Sequence, residues 1–187
     1  KLFPNPKTLI FSKEKMNSQK ISKVTSSFDE HFNNLLYQMF EVNQKEGIPL
    51  MIEKSDDITN YEGYKLKIEK EVITIIAKQP NGAFYGLLTL RDILNSDNQL
   101  CLEIEDYPDL AVRGVMLDIS RSKVPTLDTL KKLVVMFATL RYNHLELYIE
   151  GFSFEYQSFK HLLSDNNYLC LQDYLELEKF AQEYYID

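Results

Sequence analysis

Apolar residues recur at three- and four-residue spacing between positions 127 and 140. Leu127, Leu130, Leu133, Val134, Phe137 and Leu140 therefore fall on one side of a helix with 3.6 residues per turn. Thr126 stands at the N-cap behind Pro125, Asp128 places a negative charge in the first turn where the helix dipole favours it, and Arg141 follows the last turn. After this helix the period drops to two. Leu145, Leu147 and Ile149 alternate with Glu146, Tyr148 and Glu150, the signature of a strand with two unlike faces. Before the helix lies a further β-like run, AVRGVMLDIS (111–120), with an arginine and an aspartate in an otherwise apolar stretch. Together these segments predict a βαβ unit with parallel strands at about 112–119 and 144–150.

The two faces of the second strand need separate explanations. In an open doubly wound sheet both faces lie under helices and are apolar. In a closed (β/α)8 barrel one face packs under helices, the other points into the lumen, and functional groups gather at the C-terminal strand ends. Glu150, polar and at the end of its strand, suits the barrel. A wetted edge strand explains the same alternation about equally well.

Upstream, the pattern predicts a strand near Lys7–Phe11 and a helix over Ser27–Glu46 ended by Gly47, with Phe28, Phe32, Leu35, Leu36, Met39 and Phe40 on its apolar face. It also predicts strands at Ile48–Glu53, Tyr64–Glu69 and Val72–Ala77, then a helix capped by Asn81 and running to Leu94. Residues 1–110 thus read as a small α+β layer. Downstream, an aromatic loop, GFSFEYQSF, precedes a helix over Asp173–Tyr185, with Ile186 and Asp187 entering a further strand. Gly82 and Gly86 have the spacing of a close helix contact, and no G-K-[ST] or G-x-G-x-x-G accompanies them to support nucleotide binding.

Composition narrows the function classes. The net charge of −7 over 187 residues, with lysines scattered among acids, argues against a nucleic-acid partner. No run of about 18 apolar residues predicts a membrane span. The first residues, KLFPNPKTL, lack the apolar core of a signal peptide, so the cytoplasm is slightly favoured, although a removed leader would leave no trace. Cys101 and Cys170 are isolated thiols expected to pack in the interior. His31, His144 and His161 lack the spacing of a metal site, and no cofactor is expected.

The run IEDYPDLAVRGVMLDISR (104–121) resembles the entry into the catalytic barrel of glycoside hydrolase family 20, the β-N-acetylhexosaminidases, whose pattern there is D-x-P-x-[FY]-x-x-R-G-x-M-L-D-x-[SA]-R. The block EGYKLKIEKEVITIIAKQPNGAFYGLLTLRDIL (62–94) is similar to the end of the small domain that precedes that barrel. Both motifs occur in the family's order and spacing, and with weaker similarity at the ends the resemblance covers nearly the whole chain. It implies a small α+β domain over 1–110 followed, over 111–187, by the first two βα units of a (β/α)8 barrel, truncated. The implied activity is exo-acting removal of terminal N-acetylhexosamine by substrate-assisted retaining catalysis, an exception to the two-carboxylate scheme. Its catalytic Asp-Glu pair is expected beyond the end of this chain, so the fragment alone is expected to be inactive and open to self-association through the truncated barrel.

Carried over by position, Arg113 matches the family arginine that binds the sugar's C3 and C4 hydroxyls, with an ion pair to Asp118 as the structural alternative. Asp118 and Arg121 match L-D-x-[SA]-R and are assigned to support of the site. The second strand departs from the family's H-x-H-L-[ST]-D-D: it reads Glu146-Leu147-Tyr148-Ile149-Glu150-Gly151, and Glu150 is the substitute carboxylate for substrate binding. That departure keeps a second expectation open, a non-catalytic carbohydrate-binding or interaction protein on the same scaffold. An adjacent Asp-Glu following a later strand of the parent would distinguish the two.

Overall fold

The computed structural model describes residues 2, 4–42, 45–97, 99–120, 124–150, 153–163 and 168–187. The chain is mixed α/β and divides into two compact units, Lys1–Asp109 and Leu110–Asp187.

In the first unit, six strands form one sheet: β1 (Thr8–Lys15), β2 (Ile21–Ser26), β3 (Ile48–Lys54), β4 (Tyr64–Ile68), β5 (Ile73–Ala77) and β6 (Leu100–Asp106). Their order is β1-β6-β4-β5-β3-β2, antiparallel from β1 through β5 and parallel across β5, β3 and β2. Two helices, α1 (Glu30–Met39) and α2 (Pro80–Leu94), complete the unit. Strict alternation explains its single core. Tyr64, Leu66, Ile68, Ile73, Ile75, Leu102 and Ile104 are buried. The opposite parity of the neighbouring strands β4 and β6 carries charges. Lys65 lies opposite Glu105 in register and pairs with it at 3.5 Å, and Lys67 lies opposite Glu103.

α2 lies close against β4 and β5, and its two glycines are the reason. A Cβ at Gly82 would stand 2.5 Å from the carbonyl oxygen of Gly63; one at Gly86 would stand 2.9 Å from a methyl of Ile75. The few polar groups trapped by this packing are satisfied. The Tyr64 hydroxyl bonds Thr89 Oγ1 at 2.6 Å and donates to Asp106 Oδ2 at 3.3 Å, while the Tyr85 hydroxyl and Asn81 Nδ2 both donate to Glu62.

Several boundaries differ from the pattern's expectation. α1 is ten residues long: Asp29 is its N-cap, accepting from the Phe32 amide at 3.0 Å, and after Met39 the chain turns extended so that Val42 bridges to Ile21. Gly47 does not end that helix. Its φ of +134° and the 2.5 Å that a Cβ would leave to the Lys20 carbonyl oxygen show a backbone crossing that only glycine tolerates. α2 starts at Pro80 behind Gln79 rather than at an Asn81 cap, the usual place for a proline in a first turn. β2 escaped the alternation pattern because its register shifts between Ile21 and Val24. β6 escaped although Leu102-Glu103-Ile104-Glu105 alternates plainly. Of the two thiols Cys101 is buried, whereas Cys170 is only half-buried.

These contacts set an order of tolerance. In a helix alanine is favoured over glycine by about 1 kcal/mol, and overpacking costs about 1–3 kcal/mol. Ile75 can yield but the 63 carbonyl cannot, so Gly82→Ala should lower the urea unfolding free energy by on the order of 1–2 kcal/mol, and Gly86→Ala by less. Equal losses from the two would contradict this account.

Candidate functional site at the strand ends of the second unit

Two strands, β7 (Gly114–Asp118) and β8 (His144–Tyr148), run parallel in register, Gly114 opposite His144 and Asp118 opposite Tyr148. They are joined by α3 (Leu127–Thr139), capped as the sequence predicts by Thr126, whose hydroxyl accepts from the Thr129 amide at 3.3 Å. A 3-10 turn (Gln157–Leu162) and α4 (Leu171–Glu183) follow. α4 begins two residues earlier than expected. Cys170 is its N-cap, accepting through Sγ from the Asp173 amide at 3.4 Å while Asp173 accepts from the Cys170 amide at 3.1 Å, a capping box built on a thiol.

Parity divides the small sheet. Val115, Leu117, Leu145, Leu147 and Ile149 are half-buried and Ile119 is fully buried; with Leu130, Val134 and Phe137 of α3 and Leu177 and Ala181 of α4 they supply the unit's apolar interior. The other face carries Met116, Asp118, Glu146 and Tyr148, all exposed, with Glu150 just beyond.

The two ends of these strands do different work. At the C-terminal end, Asp118 Oδ1 accepts from the amide and hydroxyl of Ser120, at 2.8 and 2.5 Å, and the Ile119 amide donates to the Tyr148 carbonyl. The Tyr148 hydroxyl donates to Glu150 Oε1 at 2.7 Å. That bond, then the Glu150 charge, slight burial and the more distant Asp118 charge, push the phenol above its ordinary ionisation range. The loop that follows is pinned by reciprocal bonds between residues 153–155 and Leu169, and by the buried carboxylate of Glu155, which Lys160 meets at 2.6 Å. Sequence reasoning did not single out Glu155, and its sole signal was an acid inside the aromatic run.

At the N-terminal end, Arg113 Nε donates to the Arg141 carbonyl at 2.8 Å and Nη1 to the Leu110 carbonyl at 2.7 Å. Asn143 completes the clamp, its Oδ1 accepting from the Arg113 amide and its Nδ2 donating to the Ala111 carbonyl. Five residue steps along the strand, about 16 Å, separate Arg113 from Asp118. The structure thus brings Asp118, Tyr148 and Glu150 to one end and leaves Arg113 at the other, its guanidinium bonded to main-chain carbonyls. Arg113 and Asp118, linked in the sequence reading, thus stand at opposite ends of β7. Arg121 lies outside the described residues. Beside β8, the Asp187 amide donates to the Asn143 carbonyl and the Leu145 amide to the Asp187 carbonyl. A groove of about 640 Å³ runs from there, lined among others by His144, Ile149, Tyr156, Tyr174 and Ile186.

Among the described residues no cluster of His, Cys, Asp and Glu has metal-site geometry, and no helix is long and apolar enough to cross a membrane.

Parallel strands that deliver polar side chains to their C-terminal ends are the arrangement on which α/β enzymes build their sites. The family model for glycosyl hydrolase family 20, domain 2, matches residues 1–107, and the chain belongs to that family. A β-hexosaminidase of Porphyromonas gingivalis is 33% identical over 99 residues, 47% of this chain and 13% of that protein. Among solved structures, an exo-β-N-acetylglucosaminidase of Vibrio harveyi superposes with a TM-score of 0.83 at 19% identity, over 99% of this chain and 35% of the other. An N-acetyl-β-hexosaminidase of Streptomyces plicatus, solved with thio-NAglucal, gives 0.82 at 20%, over 99% and 44%. The chain therefore spans less than half the length of each.

The clamp at the N-terminal end yields a test of its own. Hydrogen bonds from a charged donor contribute about 1.5–3 kcal/mol each when well shielded and less when exposed, so Arg113→Ala should cost on the order of 1–3 kcal/mol in unfolding free energy. Arg113→Lys, which cannot fork between two carbonyls, should recover only part of it. An unfolding midpoint unmoved by Arg113→Ala would remove the structural role.

Proposed function

We propose that this chain is the N-terminal part of an exo-acting β-N-acetylhexosaminidase, in which residues 1–110 form the small α+β domain and residues 111–187 supply the first two βα units of a (β/α)8 barrel. The observation that carries this reading is the parallel β7–α3–β8 unit. One of its faces is apolar, and the other carries polar groups that converge at the C-terminal end, as a lumen face would. The bonds of Asp187 to the edge of β8 support a third strand beginning there, and the adjoining groove is the space that a further helix and strand would fill. Family membership and the greater length of the relatives support a longer parent polypeptide.

In this reading the catalytic Asp-Glu pair comes from a part of the parent other than these 187 residues. Hydrolysis is substrate-assisted: the glutamic acid protonates the glycosidic oxygen, the aspartate orients the substrate's own 2-acetamido group, and that group attacks the anomeric carbon. This chain's residues bind and shape. Glu150 accepts hydrogen bonds from the terminal sugar, Asp118 holds the turn after β7 through Ser120, and Arg121, three residues further along the chain, belongs to the same supporting segment. Arg113 maintains the scaffold from the opposite end. The partner is a carbohydrate ending in N-acetylhexosamine.

The full-length parent should release the chromophore from a nitrophenyl N-acetyl-β-glucosaminide with retained anomeric configuration, and Glu150→Gln should lower kcat/KM about tenfold or more, the loss of one hydrogen bond to a charged group. Saturable binding of N-acetylglucosamine without turnover would favour the non-catalytic scaffold. The absence of both binding and turnover would overturn the proposal.

A further inference from the structure

The polar face of β7 and β8 has an aromatic residue where the family pattern has the second histidine of H-x-H. Tyr148 is the last residue of β8, opposite Asp118 in register, and 37% exposed. Its hydroxyl has one hydrogen, and that hydrogen is committed to Glu150 Oε1 at 2.7 Å. What remains on the phenolic oxygen is acceptor capacity. A histidine in this place would titrate near neutrality and change between donor and acceptor with pH; a phenol held by a carboxylate does neither.

We propose that Tyr148 is a substrate-binding residue whose phenolic oxygen, with its proton held by Glu150, accepts a hydrogen bond from a hydroxyl group of the sugar bound at the C-terminal ends of β7 and β8. The inference rests on the carbohydrate reading above and adds to it the residue that reads the sugar and the direction of the bond. The titratable groups sharing the face are Asp118 from β7, Glu146 and Glu150 on either side of Tyr148, and His144 at the opposite, N-terminal end of β8; those beside Tyr148 are all carboxylates. Negative neighbours oppose formation of a phenolate. The neutral phenol is therefore fully present below its ordinary pKa of 10.0 and is lost only as pH rises through the raised value. Hydroxyl recognition at this position is constant across the range where histidine switches. Tyr148 and Glu150 act as one unit, because Glu150 fixes which atom of Tyr148 faces outward as an acceptor.

The test uses the full-length parent and a nitrophenyl N-acetyl-β-glucosaminide. Tyr148→Phe, which keeps the ring and removes the acceptor, should raise KM about three- to tenfold with kcat nearly unchanged, the pattern for lost uniform binding of one neutral hydrogen bond. In the wild-type protein KM should show no ionisation between about pH 5 and pH 9, whereas Tyr148→His should make KM pH-dependent near the imidazole pKa of about 6.5. An unchanged KM in Tyr148→Phe, or a flat profile in Tyr148→His, would overturn the inference. If the wild-type parent binds N-acetylglucosamine without hydrolysing the glycoside, the hydrolase reading fails, and the same comparisons made on the dissociation constant by calorimetry still decide the role of Tyr148. Absence of sugar binding in the wild type would overturn both.

Discussion

Parallel pairing of two strands is the constraint on which the second unit depends. A parallel pair cannot be closed by a tight turn; it needs a crossover element, here α3, that carries the chain back to the starting edge. Both strands then point the same way, and whatever residues end them arrive together. Asp118 and Tyr148 are 30 positions apart in sequence and face each other because of this pairing. Glu150 reaches Tyr148 because a strand returns to the same face after two residues. No attraction between these groups is needed to assemble them, and the carboxylates among them would repel. The scaffold holds them where chemistry needs them, and the cost is carried by the apolar face beneath.

What the sequence disclosed follows from how local each signal is. α3 was legible to the residue at its start because its cap, first-turn acid and apolar stripe all lie within one segment. α1 was overread because its apolar pattern continues past Met39, while the reason for its end, the bridge from Val42 to Ile21, is not local. The same holds for Gly47: sequence offers a glycine after a helical run, and only the fold reveals the Lys20 backbone pressed against it. Cys170 escaped as a cap because thiols are poor acceptors and seldom take that place.

Arg113 is the most instructive of the candidate residues. A charged residue inside an apolar run signals a special position, and the carbonyls that Arg113 meets at the N-terminal end of β7 come from segments no local pattern brings together. Position relative to the strand bears on its role, since functional groups gather at the C-terminal end of a βα unit. The donors of a guanidinium suit main-chain carbonyls as well as they suit a sugar. Chemical aptitude alone does not discriminate between the two roles.

Both helices of the second unit return to the sheet through the same joint. After α3, Arg141 adopts a φ of 65°, its amide donates to Ala138, and the Tyr142 amide donates to Phe137, against whose ring Tyr142 packs at 6.0 Å. After α4, Tyr185 at 58° and Ile186 repeat these bonds to Gln182 and Ala181. The residues share no motif, and neither left-handed position is a glycine. The joint thus works as a geometric module indifferent to its side chains. A chain that has solved the problem of turning from helix to parallel strand once can reuse the solution at each round, so that growth of such a sheet requires new surfaces but no new corners.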